Sequence, residues 1–285
     1  MDEFFNRLLI NPLAELTAQQ LLDSAMRNFY AFTLVLVRMS GLMTIGPIFG
    51  QSIVPANIRI LLVLALSFLI TPALHIHSRV ASESLNVPST ILDFAWVGIG
   101  EFSLGLVLGL GVLTILSGLQ LAGEIIDQQT GIALGEISNP GFEINGSVTG
   151  QFLFMLGVTL LLIMEPVGGH LMMVSVLVET FQTLPVGEAY VSASAVELLR
   201  DLVHQSLVLG VQVAAPLLAT MTLVALTMGF LGHTVPQVNV LIVGFPIRAM
   251  ISLLVIAVTL SGVGRVVIDL VPSVIDDIRQ ILTAV

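Results

Sequence analysis

The 285-residue chain has no cysteine, which excludes disulfides, thiolate chemistry and Cys-ligated metal sites. It also has no lysine: the nine basic residues are all arginine, set against nineteen acidic ones for a formal charge of −10. A phosphate backbone needs clustered Lys and Arg, so nucleic acid is excluded as a partner. Charge of either sign is scarce, at 10% of residues, where soluble domains carry about a quarter. The acidic residues are spread thinly over tails and loops and read as solvated surface. HExxH, GxSxG and Walker-type glycine loops are all missing, and His75, His77, His170, His204 and His233 are scattered. No metal, cofactor or catalytic constellation is therefore expected.

What is abundant is apolar. Hydrophobic residues make up 56% of the chain and the mean hydropathy is +1.03. The uncharged stretches are too many and too long to be interior helices of one soluble domain, so lipid or a large hydrophobic assembly must cover them. The opening residues are not expected to be a cleavable secretory signal. Asp2, Glu3 and Glu15 interrupt them, and no small-residue cleavage pattern follows a basic head.

Along the chain, residues 1–28 read as a short amphipathic or interfacial start, and the first span as 29–48 with Arg38 inside it. A central Arg opposes insertion by about 2.5–3.5 kcal/mol, and each Leu, Ile, Phe or Val returns about 0.3–0.6, so some ten apolar side chains only just offset it. This span needs a partner for its charge. Pro47 and Pro55 bracket a turn, and a second run, 58–70, is expected to stop at Thr71 and Pro72. A polar stretch over 75–90 reads as an aqueous loop. A third run, 94–123, is broken only by Glu101, and the polar, Gly- and Pro-containing stretch after it interrupts the helix through Gly146. The uncharged run 144–164 is long enough to span, and Glu165, Pro166, Gly168 and Gly169 then split it from a shorter piece reaching 178. A second aqueous loop is expected over 180–201. The run 202–247 is interrupted by a polar turn at 229–239, the last span is read over 240–264, and the tail as a short amphipathic helix. The expectation is an all-α polytopic membrane protein of about six hydrophobic helices, several broken or kinked. Arg residues near the span ends show no bias that would orient it.

Two features go beyond composition. Gly105 and Gly109 form a GxxxG pair in a glycine-crowded helix, which permits another helix to approach closely. Arg38, Glu101, Glu165 and Arg248 are ionisable groups in or beside apolar runs. Unpaired charge there is unfavourable, so structural pairing of opposite signs is the favoured reading and a proton or ion relay the alternative. A small-solute transporter built on Arg38 and Glu101 would carry inverted internal repeats, and none is seen.

Four stretches carry a resemblance: RMSGLMTIGPIFGQSIVPANIR, with Arg38, Gly41, Pro47, Pro55 and Arg59; GEFSLGLVLG with AGEIIDQQTG; GGHLMMVSVLVETFQTLPVG, with Gly168, Gly169, His170 and Pro185; and PQVNVLIVGFPIR, with Pro236, Gln237, Asn239, Gly244, Pro246 and Arg248. In that order they resemble the FliR family of flagellar biosynthesis proteins and its injectisome counterparts over most of the chain. The family often has a basic residue where His233 and Thr234 stand, and Lys in place of Arg248, so this chain departs from the family in the local charge of that turn.

The resemblance implies a non-enzymatic subunit of a helical type III export gate, working with FliP-like and FliQ-like subunits and other flagellar export-apparatus membrane proteins. The gate would pass unfolded flagellar proteins through the bacterial inner membrane at the basal body and sit raised towards the periplasm. An equivalent injectisome subunit is the alternative. Residues 1–199 would form a FliP-like part and 200–285 a FliQ-like hairpin and tail of one membrane domain. A family loop helps plug the closed pore. Its counterpart is expected over 131–146, where Gly131, Gly135, Pro140, Gly141 and Gly146 suit unusual backbone angles.

Overall fold

The computed structural model describes residues 2–50, 54–76, 88, 90–131, 147–165, 167–235, 237 and 239–283, with only the backbone course for 2–19, 75, 76, 240, 241 and 283. Among them every regular element is a helix: α1 (Asp2–Ile45), α2 (Ala56–Ile76), α3 (Ile91–Thr130), α4 (Val148–Ile163), α5 (Gly169–Thr183), α6 (Ala193–Thr234) and α7 (Val240–Thr283). In hydrocarbon, backbone polar groups must be satisfied within the segment, so apolar runs of this length adopt helix. Among the described residues five helices are long and apolar enough to cross a membrane, and Val148–Ile163 is a shorter apolar one. The chain is therefore the all-α polytopic protein that its composition predicts.

Several boundaries differ from the sequence reading. Residues 2–28 are not a separate interfacial piece but the first part of α1, a single helix of 44 residues. α2 runs through Pro72 to Ile76. Pro72 removes one backbone donor, and beside it Thr71 Oγ1 donates to the Ser67 carbonyl at 2.7 Å. α3 passes Glu124 and Asp127 to Thr130. α6 begins at Ala193, inside the stretch read as an aqueous loop, and continues through Pro216. The last span and the tail are one helix, α7, with Pro246 and Pro272 inside it. Short-range stop signals are overridden wherever leaving the helix would strand backbone groups.

Other breaks fall where the sequence places them. α4 starts at Val148 because Ser147 caps it, its hydroxyl accepting from Gly150 N at 2.7 Å. α4 and α5 are separate helices, and Gly168 between them has φ 79°, a left-handed conformation that any Cβ would strain. Asn239 opens α7, its Oδ1 and its carbonyl both accepting from Ile242 N. Of the residues expected to plug a pore, Gly131 ends α3, whereas Gly135, Pro140, Gly141 and Gly146 lie outside the described residues.

The chain divides into two compact units. The first comprises Met1–Gly109, Val176–Ser192 and Leu282–Val285. Leu34, Met39 and Leu42 of α1, Leu104 and Leu108 of α3 and Leu177 and Phe181 of α5 are buried in it, and α2 packs on α1. The second comprises Leu110–Ser175 and Ala193–Ile281. Its buried residues include Leu116 and Leu119 of α3, Leu153 and Leu161 of α4, Leu202 and Leu217 of α6, and Val274 and Ile278 of α7.

Glycine sets the spacing of α1 and α3. A Cβ on Gly41 would lie 2.3 Å from the Phe102 carbonyl oxygen, and one on Gly105 would lie 2.1 Å from that of Arg38. Both obstacles are backbone, so the helices would have to separate. Gly105→Ala is expected to destabilise by about 1–3 kcal/mol through overpacking. Gly229→Ala, at a position with nothing within 4 Å, gains helix propensity of about 1 kcal/mol instead. Thermal unfolding in detergent separates the two; equal melting of both variants would contradict the close α1–α3 crossing.

Candidate functional site

The Gly41–Gly105 crossing brings two charges of opposite sign together in the first unit. Arg38 on α1 and Glu101 on α3 have fully buried side chains, and Arg38 Nε donates to Glu101 Oε2 at 2.5 Å. One guanidinium nitrogen, Nη1, donates to Thr180 Oγ1 at 3.0 Å and the other, Nη2, to the Leu184 carbonyl at 3.1 Å. Thr180 is free to accept because its own hydrogen goes to the Leu177 carbonyl at 2.6 Å. The Phe181 ring stacks under the guanidinium, with Cζ 4.0 Å from the ring centroid. Arg38 thus binds the C-terminal end of α5, where the helix dipole favours a cation.

Glu101 is satisfied as fully. Its second oxygen accepts from Gly187 N at 2.8 Å. Gly187 has φ 97°, a conformation open to glycine that lets the turn after Pro185 present this N–H. Gly100 makes room for the same segment: a Cβ there would lie 2.2 Å from the Ala189 carbonyl oxygen. One charge pair therefore ties α1, α3, the end of α5 and the 184–187 turn into a single cluster. The guanidinium and the carboxylate are both met by groups of these segments, an arrangement that suits a structural lock.

The remaining sequence-predicted residues fall in other places. Pro47 sits in the turn that closes α1, and the Pro55 carbonyl accepts from Ile58 N and Arg59 N at the start of α2. Arg59 Nη2 donates to the Val54 carbonyl at 3.0 Å. Gly109 approaches Gly46, where a Cβ would lie 3.1 Å from its nitrogen. In the second unit, Gly169 begins α5 and packs against Leu161, and His170 follows it in the first turn of α5. Gln237 lies in the turn before α7, Gly244 and Pro246 lie within α7, and Pro236 lies outside the described residues. Glu165 is exposed in the α4–α5 break and Arg248 is half-buried on α7, and neither forms an ion pair with a described residue. Among the described residues no three His, Asp or Glu gather as metal ligands.

Thr180, Phe181, Leu184 and Gly187 escaped the sequence reading. The only available signal was that Arg38 and Glu101 both needed partners. Removing one member of a buried pair leaves the other uncompensated, at about 3–5 kcal/mol, whereas replacing both by apolar groups is far milder. Arg38→Leu and Glu101→Leu should each lower thermal stability strongly, and the double variant should recover much of the loss. Additive losses across the double-mutant cycle would mean that the two side chains are not coupled.

Comparison with known proteins places the chain. The family model described as bacterial export proteins, family 1, matches residues 29–273. The flagellar biosynthetic protein FliR of Caulobacter vibrioides is 29% identical over 247 residues, covering 87% of this chain and 95% of that protein. That of Bacillus subtilis is 28% identical over 269 residues, covering 93% and 99%. FliR of Escherichia coli is 27% identical over 222 residues, covering 78% and 81%. With the family model spanning residues 29–273 and these relatives matched over 78–93% of the chain, the chain belongs to the FliR family of bacterial export proteins.

Proposed function

We propose that this protein is a structural subunit of the flagellar export gate in the bacterial inner membrane at the basal body. It joins FliP-like and FliQ-like subunits around a conduit for unfolded flagellar proteins and catalyses no reaction itself. In this reading residues 1–199 pack in the manner of a FliP-like subunit and 200–285 in that of a FliQ-like one.

The observation that carries the reading is the reach of the exposed apolar surface on α6. Val196, Val203, Leu207, Val211, Leu223, Leu226 and Phe230 are all about half exposed or more. From Val196 to Phe230 the helix advances about 51 Å at 1.5 Å per residue, and the hydrocarbon core of a bilayer is about 30 Å thick. Lipid tails cover only part of such a surface, and neighbouring subunits are the natural cover for the rest. α7 adds Ile242, Phe245, Met250, Leu253, Leu254 and Val258, all exposed.

Expressed alone and extracted in mild detergent, the protein should aggregate or run as a polydisperse species, and co-expression with FliP-like and FliQ-like proteins should yield one monodisperse complex. A stable, monodisperse monomer would contradict the assignment. In the same reading, residues 131–146 plug the closed conduit, as the family loop does. Deleting 131–146 should then make cells carrying the gate leak ions, and unchanged membrane conductance would remove the plug assignment.

A further inference from the structure

We infer that Arg248 binds the phosphate of an anionic phospholipid at the turn end of the α6–α7 hairpin, with the acyl chains lying along the exposed face of α7.

Charge on this hairpin is one-sided. The chain carries nineteen acidic residues against nine basic ones, yet no acid falls between Asp201 and Asp269, a stretch that holds Arg248 and Arg265. Arg265 is exposed at the far end of the apolar part of α7, and beyond it the exposed face turns acidic at Asp269, Asp276 and Asp277. Arg248 lies inside the apolar part. It is half-buried, and among the described residues it forms no ion pair and no hydrogen bond. A guanidinium keeps its charge, so Arg248 requires acceptors that the described residues do not provide.

Depth along the helix decides which acceptors it can reach. Exposed Gln237 and Asn239 mark the polar turn, and exposed apolar side chains follow from Ile242 to Val258. From Val240 to Arg265 the helix advances about 38 Å, and Arg248 stands about 12 Å from its start. The hydrocarbon core of a bilayer is about 30 Å thick, so the headgroup layer beside the turn is the nearer one. Helical side chains lean towards the helix N-terminus, which carries the guanidinium of Arg248 further towards that layer. Gly244, one turn earlier, has nothing within 4 Å of where a Cβ would stand, and this leaves room beside the cation.

The chemistry of the surroundings fits a lipid. Phosphate oxygens match the guanidinium fork, and anionic lipid is drawn to basic residues at a membrane surface. Phe245, Met250 and Leu253 are exposed around Arg248 and offer acyl chains an apolar path along α7. Arg38 shows what a protein carboxylate requires instead: full burial, and glycines at 41 and 105 that bring a second helix into contact. Arg248 has the open side of a helix near its end.

The test uses cells that make the full chain with its partner subunits. With p-benzoylphenylalanine in place of Phe245, light should capture phosphatidylglycerol at least fivefold above its share of the membrane, as read from the adduct masses. The same probe in place of Val258, about 20 Å further along α7, should capture lipids at their bulk share. Arg248→Gln should bring position 245 down to the bulk share, and Arg248→Lys should keep most of the enrichment. If Arg248→Gln fails to accumulate, the contrast between the two probe positions decides. Equal phosphatidylglycerol capture at 245 and 258 would overturn the inference, as would enrichment that survives Arg248→Gln. Capture of protein alone at position 245 would overturn it too, by showing that a neighbouring subunit covers the guanidinium.

Discussion

A guanidinium cannot shed its charge inside a protein, so an arginine placed in an apolar helix must be met by acceptors wherever the chain can supply them. Arg38 imposes that demand on the first unit. It is answered by a carboxylate from α3, a hydroxyl and a ring from α5, and a backbone carbonyl from the turn beyond. Glycine at 41 and 105 makes the answer possible, because only bare backbone lets α1 and α3 come close enough at that level. The requirement for neutralisation and the absence of side chains at the crossing act as one device.

The second unit is organised differently. No buried ion pair is found among its described residues, and small residues and caps do the joining. Gly118 lies against Ser206, with a Cβ placed 2.5 Å from its carbonyl oxygen, and Gly157 lies against Leu119 and Leu116. Polar joints are kept to the helix ends, at Asp127, Ser147 and Asn239, where unsatisfied N–H groups must in any case be met. Outside these contacts long apolar faces of α6 and α7 remain exposed. A locked first unit and a second with broad uncovered surface fit a subunit that folds around its own charge pair and completes its packing against neighbours.

Much of this was legible in the sequence because membrane constraints are local. Apolar runs give helices, the Glu165–Gly169 cluster gives the α4–α5 break, and Asn239 opens the last helix. The need of Arg38 for a partner was also readable, since its charge sits within one window of hydrophobic residues. Its partners were not: Thr180 and Leu184 lie 142 and 146 residues further on, and no periodicity or spacing records a contact of that range. Helix ends were misjudged for the opposite reason. Pro72, the polar residues after Gly123 and the charges before Leu202 look like stops in isolation, but continuing the helix satisfies more backbone than ending it. No local signal marks Asp127 as a cap, because the Thr149 N–H that its carboxylate accepts comes from α4, 22 residues further on.

The central claim is that Arg38 is neutralised and held wholly within its own chain. An experimental map of the assembled gate, at a resolution that shows side chains, tests it most directly. The account predicts the Arg38 guanidinium against Glu101, Thr180 and the Leu184 carbonyl, sealed from lipid and conduit alike. An Arg38 side chain lining the conduit, or bound to a carboxylate of a neighbouring subunit, would contradict it.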